Sequence, residues 1–467
     1  MKQLATFIIS SLVAMAYQAE AVTCRAQITA CQAQPKTLAE CVNLGISHNL
    51  QLSNARIGIE KGRLGVTQNR SRLLPMIQGV AQFTDYLKSP VNVTTGTLLD
   101  KDFPDDPTWQ TIKSMKYQSN AGILLNVPIY NQTILSSIDV AKTVESIQGL
   151  SYEKAKEELT MQIGKVYYLA QTSKEQLRLI DQNLSRMEEL CEITEALYGQ
   201  GMVMEVDLNR VRINRQMLAT ERAMQHTLHE QQLNMLRYLL DLPVDARLEV
   251  MPMEVTFVSA DRETSSMDAI FTPMQIEGVS DQLPELQLAE KKRLLIDQQI
   301  KTVKAGYLPT LSLTGYAGGL GYNEKFHQFT DHWFGNCYLG VSLRVPIFEA
   351  NAKHLKIRQY RFDAQQAQNN IDLLRKQIDR SYADAILQMN RNMEIVRTQN
   401  ECRKQAEEVY QIAEVQYKEG VASMTALLQD DMQLRSAQSS CIQAVCQCKL
   451  AQLDLLRLSG RLGDLEK

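Results

Sequence analysis

The sequence predicts a mainly α-helical protein with a small β part, built twice from one unit ordered helix, strand, strand, very long helix, turn, helix. Three observations carry this. The segment from Leu52 to Pro75 is echoed from Leu286 to Pro309, each running from a leucine to a Leu-Pro. In each half a second strand pattern ends in Val-Pro-Ile-aromatic, at Val127–Tyr130 and Val345–Phe348. From that proline to a later glycine the chain counts 73 residues in the first half (Pro128 to Gly201) and 74 in the second (Pro346 to Gly420).

In chain order, residues 1–21 read as a secretory signal: Lys2 is the positive region, Leu4–Ala16 the apolar region, and Ala19-Glu20-Ala21 the cleavage site. Residues 22–36 are an N-terminal linker. Lipidation of Cys24 is disfavoured by Thr23, which occupies the place of a very small residue. The first repeat covers 37–242, with helices at 38–72 and 131–240 and strands at about 76–86 and 117–129. Thr37 and Glu40 form a capping box, His48-Asn49 breaks the first helix, and Pro75 ends it. Residues 243–281, with Pro252 and Pro273, are an equatorial linker or small subdomain. The second repeat covers 282–460, with helices at about 285–306 and 349–458 and strands at about 310–318 and 337–347; 461–467 form a tail.

No proline falls between Pro128 and Pro243 or after Pro346, so each long segment has room for about 100 Å of continuous helix. Each closes on a Tyr-x-x-Gly turn, Tyr198–Gly201 and Tyr417–Gly420, before a return helix. A soluble coiled-coil rod explains such helices but gives the strands no role.

The strands alternate apolar with polar or small residues, as in Leu339, Val341, Leu343 and Val345 against Tyr338, Gly340, Ser342 and Arg344. Their length and period fit transmembrane strands, and equally a half-buried soluble sheet. The strand count separates the two. Four strands cannot close a barrel, and an open edge in lipid leaves backbone groups unpaired. Either the sheet is soluble, or several chains pool strands; three chains give twelve. The loops at 88–114 and 319–336 are polar, and the first carries an insertion.

A net charge of -3 and a hydrophobic fraction of 44% mark neither a nucleic-acid binder nor a disordered chain. No segment offers 18 consecutive apolar residues, so no membrane-spanning helix is expected. The nine cysteines show no metal spacing; Cys24 and Cys31 can pair in an oxidising compartment, and most of the others read as free, buried thiols. There is no P-loop, H-E-x-x-H or G-x-S-x-G; His226-x-x-His229 and the His327/His332 loop pair do not amount to a site, and Gly318–Gly321 lacks the helix of a dinucleotide fold. No enzyme, cofactor or metal is expected.

Together, Leu38–Val42, Asn49–Leu52, both Leu-Pro junctions, both Val-Pro-Ile-aromatic junctions and both Tyr-x-x-Gly turns resemble the TolC-type outer-membrane efflux protein family across the whole mature chain. That resemblance implies a homotrimer: a 12-stranded transmembrane β-barrel in the outer membrane of a Gram-negative bacterium, four strands per chain, continued by a long periplasmic α-helical barrel. The implied function is a passive exit duct of a tripartite efflux pump, with a periplasmic adaptor (membrane fusion) protein, an inner-membrane pump and outer-membrane lipid as partners. Type I protein secretion is the alternative, and a structural helical surface protein the remote one. The resemblance places Gly201, Met202, Val203, Gly420 and Val421 at adaptor-contacting tips. It places Tyr417 and Asp207 in a periplasmic gate, with Glu205, Gln429, Asp430 and Asp431 as further candidates. Ala422, Ala426 and Gln429 stand where the family pattern has an arginine and two aspartates, so different links are expected there. A plain turn, and a solvated helix face for Asp430 and Asp431, are the competing readings.

Overall fold

The computed structural model describes residues 35–95, 109–253, 283–326 and 333–466. The signal segment, Cys24, Cys31, His327, His332 and most of the 243–281 stretch lie outside those residues. The described elements are α1 (Leu38–His48), α2 (Leu50–Ser71), β1 (Met76–Asp85), β2 (Val91–Thr95), β3 (Trp109–Lys113), β4 (Tyr117–Tyr130), α3 (Gln132–Gly199), α4 (Glu205–Leu239), α5 (Pro284–Ala305), β5 (Thr310–Asn323), β6 (Trp333–Arg344), α6 (Ala352–Lys418) and α7 (Met424–Leu458). A 3₁₀ turn, Leu462–Glu466, ends the chain's described part. The helix-strand-strand-helix-helix unit is thus present twice, with α3 and α6 of 68 and 67 residues.

Capping chemistry sets the helix starts. Thr37 and Glu40 form the reciprocal capping box of α1. Asn49 makes the break before α2: its side-chain oxygen accepts from the Gln51 and Leu52 amides, and its Nδ2 donates to the Leu239 carbonyl at 2.9 Å. One buried amide therefore starts α2 and fixes it to the end of α4.

Two compact units divide the chain, one drawing on 149–288, 371–467 and the residues up to Ile57, the other on 58–148 and 289–370. In the first, Val42, Ile163, Leu236 and Leu240 are fully buried in one cluster. Gly45 allows α1 to lie against α3, since a Cβ there would stand 2.3 Å from Ile163 Cδ1. The segment expected to be a tail is instead anchored: Leu462 is buried with Met161 and Leu453, and Lys156 pairs with Glu466 at 2.9 Å. Its apolar Leu462 explains why it folds back.

The second unit holds a four-stranded antiparallel sheet in the order β1-β4-β5-β6. The register aligns Ile77, Leu125, Gly315 and Leu339 across it, and two residues on, Gly79, Ile123, Ala317 and Cys337. Side chains alternate faces along a strand, so one face is a continuous apolar band. That band is open: Leu339 is 70% exposed and Val341 64%. The opposite face carries Gln78, Gln82, Asn120, Thr314, Tyr316 and Tyr338.

Two loop expectations are corrected here. Gly318–Gly321 belong to β5 rather than to an outer loop, pairing with residues of β4 and β6. The reason is steric: the Tyr316 ring lies over Gly122 and Gly318 and the Trp333 ring over Gly319, so side chains at those positions would collide. The loop at 88–114 contains its own hairpin, β2 with β3.

The same geometry makes a contrast testable. A Cβ on Gly318 would sit 2.4 Å from the Ala121 carbonyl oxygen, whereas one on Gly335 meets nothing within 4 Å. Gly318→Ala is expected to destabilise the sheet by about 1–3 kcal/mol and Gly335→Ala to have little effect, read as thermal unfolding followed by circular dichroism.

Candidate functional site

The turns between long and return helices are built alike. Gly201 and Gly420 both take φ 73°, a left-handed conformation that costs a side-chain-bearing residue. The Gly201 amide donates to Tyr198 O and the Met202 amide to Leu197 O; Gly420 donates to Tyr417 O and Val421 to Gln416 O, all at 2.9–3.0 Å. This paired bonding satisfies the last carbonyls of α3 and α6. It leaves the next residue outward: Met202 is 73% and Val421 76% exposed, while Val203 is half-buried. The return helices start differently. Ser423 caps α7 by accepting from the Ala426 amide, whereas Met204 caps α4 without a side-chain bond and is exposed.

Just above the turns, the partly buried Tyr417 packs against a cluster that includes Met187, Cys191 and Met424. Its hydroxyl bonds with the Thr194 side chain, and burial together with the nearby Asp207 carboxylate pushes its pKa up against that bond. Asp207 accepts from Arg210 Nη1 at 2.9 Å, and the same nitrogen donates to Thr425 Oγ1, tying α4 to α7. Asp207 is thus near enough to Tyr417 for its carboxylate to act on the tyrosine hydroxyl. Glu205 and Gln429 are exposed, Asp430 is half-buried, and none of these three joins that link.

Asp431 is placed differently from an entrance charge. It is buried, with Arg435 Nε 2.8 Å from Oδ2 and Arg186 Nη2 3.9 Å from Oδ1. The Arg435 contact is a charge contact without hydrogen-bond alignment. Arg186 of α3 also stacks over the Tyr410 ring of α6 at 4.9 Å and donates to Asn183. Burial raises the Asp431 pKa against the pull of both arginines, and raises that of Tyr410 to about 12. Reasoning from sequence missed this cluster. Its one local signal was the Asp431/Arg435 spacing of one helical turn; the partner from α3 is 245 positions away from Asp431.

A groove of about 580 Å³ runs between α4 and α7, lined by Ile213, Met217, Met224, Met432 and Arg435. Among the described residues no cluster of three or more metal-ligating side chains occurs, and no helix is long and apolar enough to cross a membrane. An exposed apolar sheet face is a feature of the class of proteins that enter membranes through strands.

The comparisons define that class. The chain belongs to the outer membrane efflux protein family, whose model matches residues 42–241 and 278–461. Two relatives from Pseudomonas putida, the probable efflux pump outer membrane protein TtgC and the antibiotic efflux pump outer membrane protein ArpC, are each 23% identical over 300 residues, 63% of this chain. The match spans 58% of the length of those relatives. Among solved structures, VceC of Vibrio cholerae superposes with a TM-score of 0.70 at 13% identity, covering 91% of this chain and 96% of that one. The CmeC channel of Campylobacter jejuni gives 0.70 at 15%, covering 91% and 85%. The protein is an outer-membrane protein of a Gram-negative bacterium, mainly helical with a small β part, in a family of channels rather than enzymes.

Two outcomes test the site. Gly420→Ala is expected to cost about 1–2 kcal/mol at the turn, seen as faster amide exchange of residues flanking the turn with little change elsewhere. For Asp431, the folded-state pKa lies above the unfolded value, so the folded state holds more protons in that window and stability falls as pH rises through it. Asp431→Asn removes this slope; denaturant midpoints measured across the acid range for both forms check it.

Proposed function

We propose that the protein is the passive outer-membrane duct of a tripartite efflux pump, working as a homotrimer. The carrying observation is the sheet. Its end strands β1 and β6 have one strand neighbour each, and its apolar face is open. Three copies set edge to edge give twelve strands with no free edge and put the apolar band against lipid. The helices support the same closure. α2 precedes β1 and exposes Leu50, Ile57 and Leu64 at heptad spacing; α6 follows β6 and exposes Leu355 and Phe362 at the same spacing. Where β1 of one copy meets β6 of the next, these two stripes meet as well.

The polar sheet face then lines a water-filled passage, and the helices continue it into the periplasm. Met202 and Val421, held out by Gly201 and Gly420, together with the half-buried Val203 are the contacts for an α-helical adaptor, and the adaptable methionines of the α4/α7 groove extend that surface. Tyr417 with Asp207 and Arg210 holds the entrance closed, and Glu205, Gln429 and Asp430 line its approach. Energy comes from an inner-membrane pump. The cargo is small toxic molecules, a class in keeping with the antibiotic efflux pump to which ArpC of P. putida belongs. Type I secretion would show instead as loss of an exported protein.

Deletion of the gene is expected to raise susceptibility to detergents, dyes or antibiotics, restored by the intact gene; unchanged susceptibility with a lost extracellular protein would support secretion. Val341→Lys, on the apolar face, is expected to cost about 2–4 kcal/mol and to reduce assembled trimer in outer-membrane extracts, whereas Ser342→Lys on the other face leaves it near wild type.

A further inference from the structure

All four sheet-connected helices join the strands at one end: α2 leads into β1, β4 into α3, α5 into β5, and β6 into α6. There the apolar face finishes with Leu311, paired to Leu343, and the exposed Val345 and Ile347 follow. Three aromatic residues, Tyr130, Tyr307 and Phe348, stand exposed at the same rim. Immediately beyond come cations from three separate segments. Arg70 and Arg72 close α2, Lys301 and Lys304 close α5, and Lys353, Lys356, Arg358 and Arg361 open α6. Between 345 and 362 the only carboxylate is Glu349, already held by Lys353 at 2.8 Å.

These charges are not explained by the chain as a whole, whose net charge is -3. Helix stability explains only some of them. Cations at the ends of α2 and α5 suit the carbonyl-rich C-terminus, but those opening α6 face the amide-rich end, which favours anions, and its first turn holds no acidic residue. Their charged ends lie over aromatic rings. Lys353 sits over Tyr307 at 5.3 Å, Lys356 over Tyr360 at 4.7 Å, and Arg358 over Phe362 at 5.8 Å. An aromatic rim followed by exposed cations held at aromatic rings is the arrangement that a charged lipid interface favours.

We propose that this junction is a docking surface for anionic phospholipid headgroups of the periplasmic leaflet, centred on Lys356, Arg358 and Arg361. It rests on the reading that the sheet's apolar face meets lipid, because continuity with that face sets the height at which the phosphates lie. Each headgroup phosphate is met by cations from α6, while Tyr130, Tyr307 and Phe348 occupy the boundary with the acyl chains. Three copies repeat the collar around the barrel, so the anionic lipid fixes the barrel's depth on the side where the helices leave it.

Native mass spectrometry of the full-length trimer, titrated separately with phosphatidylglycerol and phosphatidylethanolamine, tests this. The intact protein is expected to retain phosphatidylglycerol roughly tenfold more tightly. K356Q/R358Q/R361Q should bring the two lipids to near parity. The charge-keeping K356R/R358K/R361K and the distant K376Q/R380Q should retain the preference. Equal retention by the intact protein overturns the proposal, as does an undiminished preference in the neutral triple variant. Displacement of the lipid by millimolar inorganic phosphate would assign the cations to free phosphate, and loss of the trimer in the neutral variant alone would assign them to a second copy; either result also overturns it. Should the intact protein retain neither lipid and fail to fractionate with outer membranes, the membrane reading itself would fall. Retention of both lipids without preference sinks only the headgroup site.

Discussion

Backbone pairing at a strand edge is the constraint from which the architecture follows. In hydrocarbon each unpaired N–H or C=O costs several kcal/mol, and a four-stranded sheet ordered β1-β4-β5-β6 leaves such groups along β1 and β6. Among the described residues no strand is spare to cover them, since β2 and β3 pair only with each other. In the proposed assembly further copies of the same chain supply the missing partners, and because the two edges differ, the contact is head-to-tail and closes as a ring. The helices inherit this geometry: each edge strand is continuous with an edge helix, and the exposed heptad stripes on α2 and α6 lie next to those strands in sequence.

Duplication has kept the backbone solution and let the side chains diverge. Gly201 and Gly420 share one φ and one bonding pattern, because a helix that must reverse needs its last carbonyls satisfied whatever follows. The residues around the turns are less constrained. Ser423 caps its helix through its side chain and Met204 does not; Asp207 holds Arg210 near one turn, while near the other Ala426 stands at the equivalent position and the carboxylate Asp431 lies in a buried cluster with Arg186 and Arg435.

Much of the fold was legible in the sequence because it rests on short-range rules. The capping box at Thr37, the prolines that bound the strands, the period-2 alternation and the left-handed glycines each act within a few residues, and each stands where those rules put it. What escaped was non-local. Gly318–Gly321 reads as a loop until the Tyr316 and Trp333 rings that need the space are in place. The anchoring of Leu462 depends on Met161, some three hundred positions earlier. In the candidate site, family resemblance pointed to Tyr417 and Asp207, whereas Thr194 and Arg186 became visible only once α3 lay beside the second repeat. Asp431 shows the limit most clearly: a carboxylate on a helix looks solvated until the opposite helix brings an arginine.

The native Cys337 gives the most direct test of edge-to-edge closure. It lies on β6, on the lipid-facing side with Ile123 and Ala317. Single cysteines placed along β1 at Ile77, Gly79, Ala81 or Phe83 share that side, and mild oxidation of the assembled protein should join one or two of them to Cys337 of a neighbouring copy. The account predicts a covalent trimer on non-reducing gels at those positions, abolished by Cys337→Ser. Monomer alone at every position along β1 would contradict it.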